Sequence, residues 1–291
     1  MNKQTKVWLV LSIALSLLAL GSACTKSGTN APAPDASTAG SGPYSGPTGA
    51  ISGVIAFNGT PPAPKKIDTT ADPECGRKNP NLSTDDTIVK DGKLANTFVY
   101  VKEGNVEGGK KIGDYSWPTP SSEVQLDQNG CHYAPHVLGV QVNQKLKITN
   151  SDNTTHNIHP TPKLNTEWNQ SQTAGAPPIE KAFTRAEVLI PVKCNQHPWM
   201  KAYIGVMKNP LFSVSGTDGA YEIKGVPPGT YTVVAWREGG AAGTEKTMQV
   251  TVPANGNAKA DFAFGEGAAT GSVKPSLQMM PAIEFPMLHN H

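Results

Sequence analysis

An all-β fold follows from three features of the sequence. Short apolar runs rich in valine, isoleucine and tyrosine recur from Ala50 onward. Clusters of Gly, Pro and Asn such as "NG", "PP" and "PPG" separate them. No segment of useful length carries a helical period, so period-2 patterning with turn punctuation dominates.

The strands are expected in this order. "ISGVIAFNG" has strand composition and is ended by Asn-Gly and Pro-Pro. "TFVYVKEG" is a second apolar alternation that stops at Gly104. "VQVNQKLKITNSD" reads as strand, turn, strand, with Val140, Val142, Leu146 and Ile148 on one face. "EVLIPVKC" and "KAYIGVM" flank a short loop, and "DGAYEIKGVPPGTYTVVAW" holds two more strands. "KTMQVTV" and "KADFAF" complete the set. The stretches 105–122 and 161–178 are polar with Gly and Pro and read as long loops. Residues 266–291 read as a tail.

The amino terminus predicts export. Lys3 and Lys6 precede an apolar run from Val7 to Leu20, and small residues follow, as in a signal peptide over 1–24. The run is short for a bilayer span. The "GSAC" ending resembles a bacterial lipoprotein cleavage box with Cys24 as the lipidated residue, and simple cleavage near "GSA" is the alternative. Residues 25–48 are mostly Ser, Gly, Pro, Ala and Thr, a composition that makes a flexible tether rather than a core. The expected setting is the periplasm or cell surface, with a lipid anchor as the contact to the membrane. A formal charge of +2 over 291 residues, with no Lys/Arg-rich stripe, gives nucleic-acid binding no support.

Four cysteines are present: Cys24, Cys75, Cys131 and Cys194. With Cys24 lipidated, Cys75 and Cys131 can pair in an oxidising compartment and leave Cys194. A Cys131–Cys194 bridge with Cys75 free, or a reactive thiol, are the alternatives. Cys194 has His197 three residues on and Met200 three further, inside "VKCNQHPWM". A thiolate, an imidazole and a thioether in one short loop suit a soft metal ion, provided another ligand arrives from elsewhere. His156 of "HNIHP" can supply that second imidazole. Two imidazoles and a thiolate with a weak long thioether form the blue-copper set, which serves both copper oxidation states.

On those residues the segment 138–206 resembles the cupredoxins. "HNIH" plus Cys-x-x-His-Pro-x-Met is most similar to the amicyanin type. The resemblance implies a Greek-key sandwich over 121–210 holding one type 1 copper per chain. Its ligands would be His156, Cys194, His197 and Met200. Asn157 would tie the two ligand loops by hydrogen bonding, and Trp199 would shield the metal or pack beneath it. "SGVIAFNGTPP" at 52–62, with Asp218, Gly219, Tyr221, Pro227, Gly229 and Tyr231, resembles the carboxypeptidase regulatory-like, or transthyretin-like, domain. Segments 49–120 and 211–265 would then build a small sandwich into which the copper segment is inserted. Two sandwiches in sequence is the alternative, and Gly229 is expected at a turn a side chain would oppose.

Blander readings stand beside these. Met200 and Cys194 could be core residues, and zinc could take the same ligands but gains nothing from a methionine. His159, three residues beyond His156, should point to the other strand face, and could itself be the ligand. His132 and His136 could brace a loop or join His159 in a second metal site. His289 and His291 read as solvated. No catalytic triad, phosphate loop or paired-acid cleft is visible, so a non-enzymatic electron carrier is expected. Its partner would be a redox protein such as a cytochrome or a dehydrogenase. Copper storage or delivery, or a non-catalytic surface-binding module, are the rival functions.

Overall fold

The computed structural model describes residues 41–239 and 243–265. The leader, Cys24, tether residues 25–40, the 266–291 tail, His289 and His291 lie outside the described residues. The described part is all-β, built as two packed sandwiches.

The first sandwich has a four-stranded sheet in the order Phe212–Val214, Phe98–Val106, Gly229–Arg237 and Thr244–Val252. Facing it, Gly49–Asn58 lies between Ala220–Val226 and Lys93–Leu94. Asn257–Lys259 and Phe262–Gly265 run parallel to Gly49–Asn58. Ile51, Ile55, Val99, Val101, Ile223 and Val233 fill the space between the two sheets.

The second sandwich uses strands that fall between those in sequence. One sheet runs Ile179–Lys181, Leu146–Asn150, Val124–Gln128 and Tyr133–Ala134. The other runs Gln170–Gln172, His156–Pro160, Glu187–Lys193, Lys201–Met207 and Val137–Gln141. Leu126, Val140, Leu146, Ile148, Ile158 and Ile204 are wholly buried between them.

A third apolar cluster joins the sandwiches. Phe98, Tyr100, Val234 and Trp236 point away from the first core and meet Val137, Leu189 and Met207. Their neighbours Val99, Val101, Val233 and Ala235 point inward, so these two strands are buried on both faces. Gly139 and Gly205 allow this close approach. A Cβ at Gly205 would sit 2.4 Å from the Phe98 ring, and one at Gly139 2.2 Å from Phe212. Glu187–Lys193 shifts register between Glu187 and Ile190. Leu189, at φ 62, is the extra residue of that bulge, so consecutive Leu189 and Ile190 reach different clusters.

The structure corrects several sequence expectations. The two strands of "VQVNQKLKITNSD" form with a turn between them, but they do not pair with each other. Val137–Gln141 and Leu146–Asn150 belong to opposite sheets, and the turn between them crosses the core. The "PPG" turn likewise joins Ala220–Val226 to a strand of the facing sheet. Gly229 is needed for close approach there, since a Cβ would fall 2.2 Å from the Asn105 carbonyl oxygen. Both expected long loops contain short pieces of strand, Tyr115–Ser116 and Gln170–Gln172. Ser41–Pro43, read as part of the tether, pairs in parallel with Tyr115–Ser116. Tyr44 then packs edge-on against Tyr115. A short helix, Pro73–Lys78, also forms. Asp72 caps it by accepting from the Glu74 N–H, and Pro73 opens its first turn, where a missing N–H costs nothing.

Candidate metal centre

The strand His156–Pro160 runs antiparallel beside Glu187–Lys193, with His159 opposite Lys193. Cys194 therefore leaves its strand next to the one that carries His156. The loop then folds back on itself. The Cys194 N–H donates to the Met200 carbonyl at 3.2 Å, and the Met200 N–H donates to the His197 carbonyl at 2.9 Å. Lys201–Met207 continues antiparallel to the incoming strand. Asn157 ties the loops together, its Oδ1 accepting from the Asn195 N–H at 2.7 Å and the Gln196 N–H at 3.3 Å. The Asn157 N–H points at Cys194 Sγ, 3.5 Å away.

His156, Cys194 and His197 present ligand atoms that all lie within 4.8 Å of one another, a group able to hold a metal ion. His156 Nδ1 and His197 Nδ1 are 2.9 Å apart, and Cys194 Sγ is 3.7 Å from His197 Nδ1. Met200 is fully buried in the same cluster. Trp199 packs tilted on the His197 ring and donates its indole N–H to the Cys131 carbonyl at 3.1 Å.

The far side of each imidazole meets a carboxylate. His156 Nε2 is 3.0 Å from Asp152 Oδ2, and His197 Nε2 is 2.8 Å from Asp72 Oδ2. Carboxylates accept, so each Nε2 carries a proton and each Nδ1 faces inward, toward the other ring and Cys194. At 2.9 Å the two Nδ1 atoms need a proton or a metal cation between them. Titration follows from the same contacts. Burial pushes the Cys194 thiol up, but hydrogen bonds from His156 and His197 overcome it and bring it down to about 6. Burial disfavours the His156 imidazolium, yet Asp152 and the Cys194 thiolate raise it to about 9. A soft cation can take the place of the protons on the inward Nδ1 atoms and the thiol.

Asp72 and Asp152 were not singled out from sequence. The cue in "TADPEC" was the helix-cap pattern; in "SDNTTH" it was an aspartate four residues before the histidine. Both are fixed by one disulfide, Cys75–Cys131, with sulfurs 2.02 Å apart. Cys194 is the free cysteine among the described residues, so the bridge to Cys194 does not form. Two further ligand groups, Asp72 with Cys75 and His197, and Cys131 with Asp152 and His156, each use a sulfur of that bridge. They are closed to a metal while the bridge stands.

The remaining histidines separate. His159 is held by Asn195 at 3.0 Å and Glu167 at 2.6 Å, on the other face from His156 as strand alternation requires. His132, His136 and His159 form no ligand group within 4.8 Å among the described residues. His132 and His136 instead converge on Asp85, at 3.3 and 3.4 Å. His136 also meets Glu238 at 2.7 Å, and Glu238 accepts from the Tyr203 hydroxyl at 2.8 Å. Lys201 lies 3.8 Å from the same carboxylate.

Burial opposes charge on His136, but Asp85 and Glu238 outweigh it and raise the imidazole to about 9. The unfolded value is about 6.5. The charged ring therefore stabilises the folded state fully below pH ~6.5, and that contribution is lost as pH rises through 9. At about 1.4 kcal/mol per unit it is on the order of 3 kcal/mol. Urea midpoints of metal-free protein at pH 6 and pH 10 should fall more steeply for wild type than for His136→Gln. Equal slopes would remove His136 as the titrating group.

Comparison with known proteins covers parts of the chain. Residues 208–260 match the family model of polysaccharide lyase family 4, domain II. That description differs from the carboxypeptidase regulatory-like one read from Asp218 to Tyr231. No curated protein matches. Among solved structures, a copper-containing nitrite reductase (NirK) from Thermus scotoductus SA-01 aligns at 19% identity and TM-score 0.27, over 29% of this chain and 22% of that one. A Cu(I) form of an amicyanin mutant aligns at 20% identity and TM-score 0.26, over 29% of this chain and 81% of that one. A purple cupredoxin from Nitrosopumilus maritimus aligns at 20% identity and TM-score 0.25, over 28% of this chain and 98% of that one. These overlaps are too partial to carry weight, and the reading of the site rests on its own side chains.

Proposed function

We propose that the chain is an exported mononuclear copper protein of the cupredoxin type that carries one electron between redox partners. His156, Cys194, His197 and Met200 are its ligands, and it is not an enzyme. The observation that carries this reading is the convergence of the His156 and His197 Nδ1 atoms, 2.9 Å apart, on Cys194 Sγ, with a buried methionine in the same loop. The donor set fits copper: two imidazoles and a thiolate bind both oxidation states, and the thioether favours copper over zinc. When bound, copper supplies the one-electron couple between Cu(I) and Cu(II). The chain's own residues hold the ligands still and keep water out. Cys194 is 2% exposed and His197 4%.

In this reading segment 121–210 is inserted into a carboxypeptidase regulatory-like sandwich formed by 49–120 and 211–265. Cys24 anchors the mature chain in a membrane, and the partner is a cytochrome or a dehydrogenase. Intact mass of membrane-extracted protein tests the anchor; a soluble mature form starting after Cys24 would remove it.

Absorption and EPR spectra of the copper-loaded chain, with metal analysis, test the function. One copper per chain and an intense visible band are expected. Colourless protein holding zinc, or square nitrogen–oxygen ligation, would leave a storage or surface-binding role instead. Met200→Leu should keep the band and raise the reduction potential, because the oxidised metal loses a weak donor. An unchanged potential would remove Met200 from the ligand set.

A further inference from the structure

We infer that Asp72 and Asp152 are positioning residues of the copper site, which fix the two ligand imidazoles and tilt the site toward the oxidised metal. The inference rests on the copper reading above and extends it to the groups behind the ligands.

Each carboxylate does two jobs at once. Asp152 is 4% exposed, and its Oδ2 accepts from His156 Nε2 and, at 2.8 Å, from the Cys131 N–H. Its Oδ1 accepts from the Gly130 N–H at 2.8 Å. Asp72 Oδ2 accepts from His197 Nε2 and from the Thr154 hydroxyl at 2.7 Å, while Oδ1 caps the short helix. Neither side chain is free to turn, so neither imidazole can rotate its Nδ1 away from Cys194. A carboxylate behind a ligand histidine also makes that imidazole a stronger donor.

Charge adds a second effect. Cys194 thiolate, Asp72 and Asp152 put three negative charges around one cation. The nearest opposing cation to Asp152 is Lys78, 3.9 Å away and half-exposed, where water screens it. Among the described residues no lysine or arginine pairs with Asp72. Fixed negative charge favours the more positive oxidation state, so Cu(II) gains over Cu(I).

Asp72→Asn removes the charge at nearly constant size. Its single amide oxygen can accept from His197 Nε2 or cap the Glu74 N–H but not both, so orientation is loosened less than in Asp72→Ala, which removes both acceptors. Copper-loaded full-length protein is compared by redox titration and by competition with a Cu(I) chelator. Asp72→Asn should lower the ratio of Cu(II) to Cu(I) affinity about tenfold, a potential rise of about 59 mV for one electron. Asp72→Ala should in addition weaken copper binding about 10- to 100-fold and broaden the EPR signal. Asp152→Asn should shift the potential in the same direction; if it misfolds, Asp72→Asn decides. A wild-type visible band that depends on Cys194, together with an unchanged potential in Asp72→Asn, would overturn this inference alone. A wild type that binds no copper would overturn it together with the copper reading.

Discussion

Cys194→Ser should abolish the visible band of the copper-loaded protein and weaken copper binding by more than ~100-fold, since loss of a group one shell further out already costs about 10- to 100-fold. The two side chains are close in size, so the change is chemical rather than steric. Cys194 sits at about 6 and is a thiolate at neutral pH, while a serine hydroxyl keeps its proton there. The pocket then offers two imidazoles and a neutral oxygen, a harder set with one charge fewer. A sulfur-to-metal charge-transfer transition has no donor orbital left. The fold should survive, because Cys194 is held through its backbone N–H and its Asn157 contact rather than by packing alone. Chelator competition and an absorption spectrum measure both effects, with the melting temperature as control. A variant that keeps colour and affinity would place the metal elsewhere.

Most of the candidate ligand cluster was legible because short spacing encodes it. Cys194, His197 and Met200 stand at fixed offsets in one loop, and a turn of that length has few ways to close. The disulfide pairing was legible once Cys194 had another use. The two aspartates were hidden because the contact Asp72–His197 spans 125 residues, and nothing local in "TADPEC" announces a histidine partner. Sheet membership was hidden for a similar reason. Val140, Leu146 and Ile148 read as one apolar face whether their strands pair or cross the core. "FVYV" and "VVAW" held a clue that alternation obscured. A continuous apolar run marks a strand covered on both sides, and here the second cover is the other sandwich.

Removing the disulfide should cost both stability and metal binding. In Cys75→Ala/Cys131→Ala the closed loop spans 56 residues, and chain entropy alone predicts a loss of roughly 4 kcal/mol. Alanine is the better probe, since both sulfurs are fully buried and serine would bury two hydroxyls in their place. The second effect follows from what hangs on each cysteine. Cys75 lies in the first turn of the helix that Asp72 caps, and its N–H donates to the Asp72 carbonyl at 3.1 Å. On the other side the Cys131 N–H holds the Asp152 carboxylate, and the Cys131 carbonyl takes the Trp199 indole. One covalent link therefore steadies the supports of both imidazoles and of the ring packed on His197. Urea denaturation should show the lower midpoint, and Cu(I)-chelator competition should show affinity down about 10- to 100-fold, as when a histidine ligand loses its outer partner. A fall in stability with unchanged affinity would make the bridge a brace for the fold alone. An unchanged midpoint would mean that the unfolded chain already holds this loop closed without the bridge.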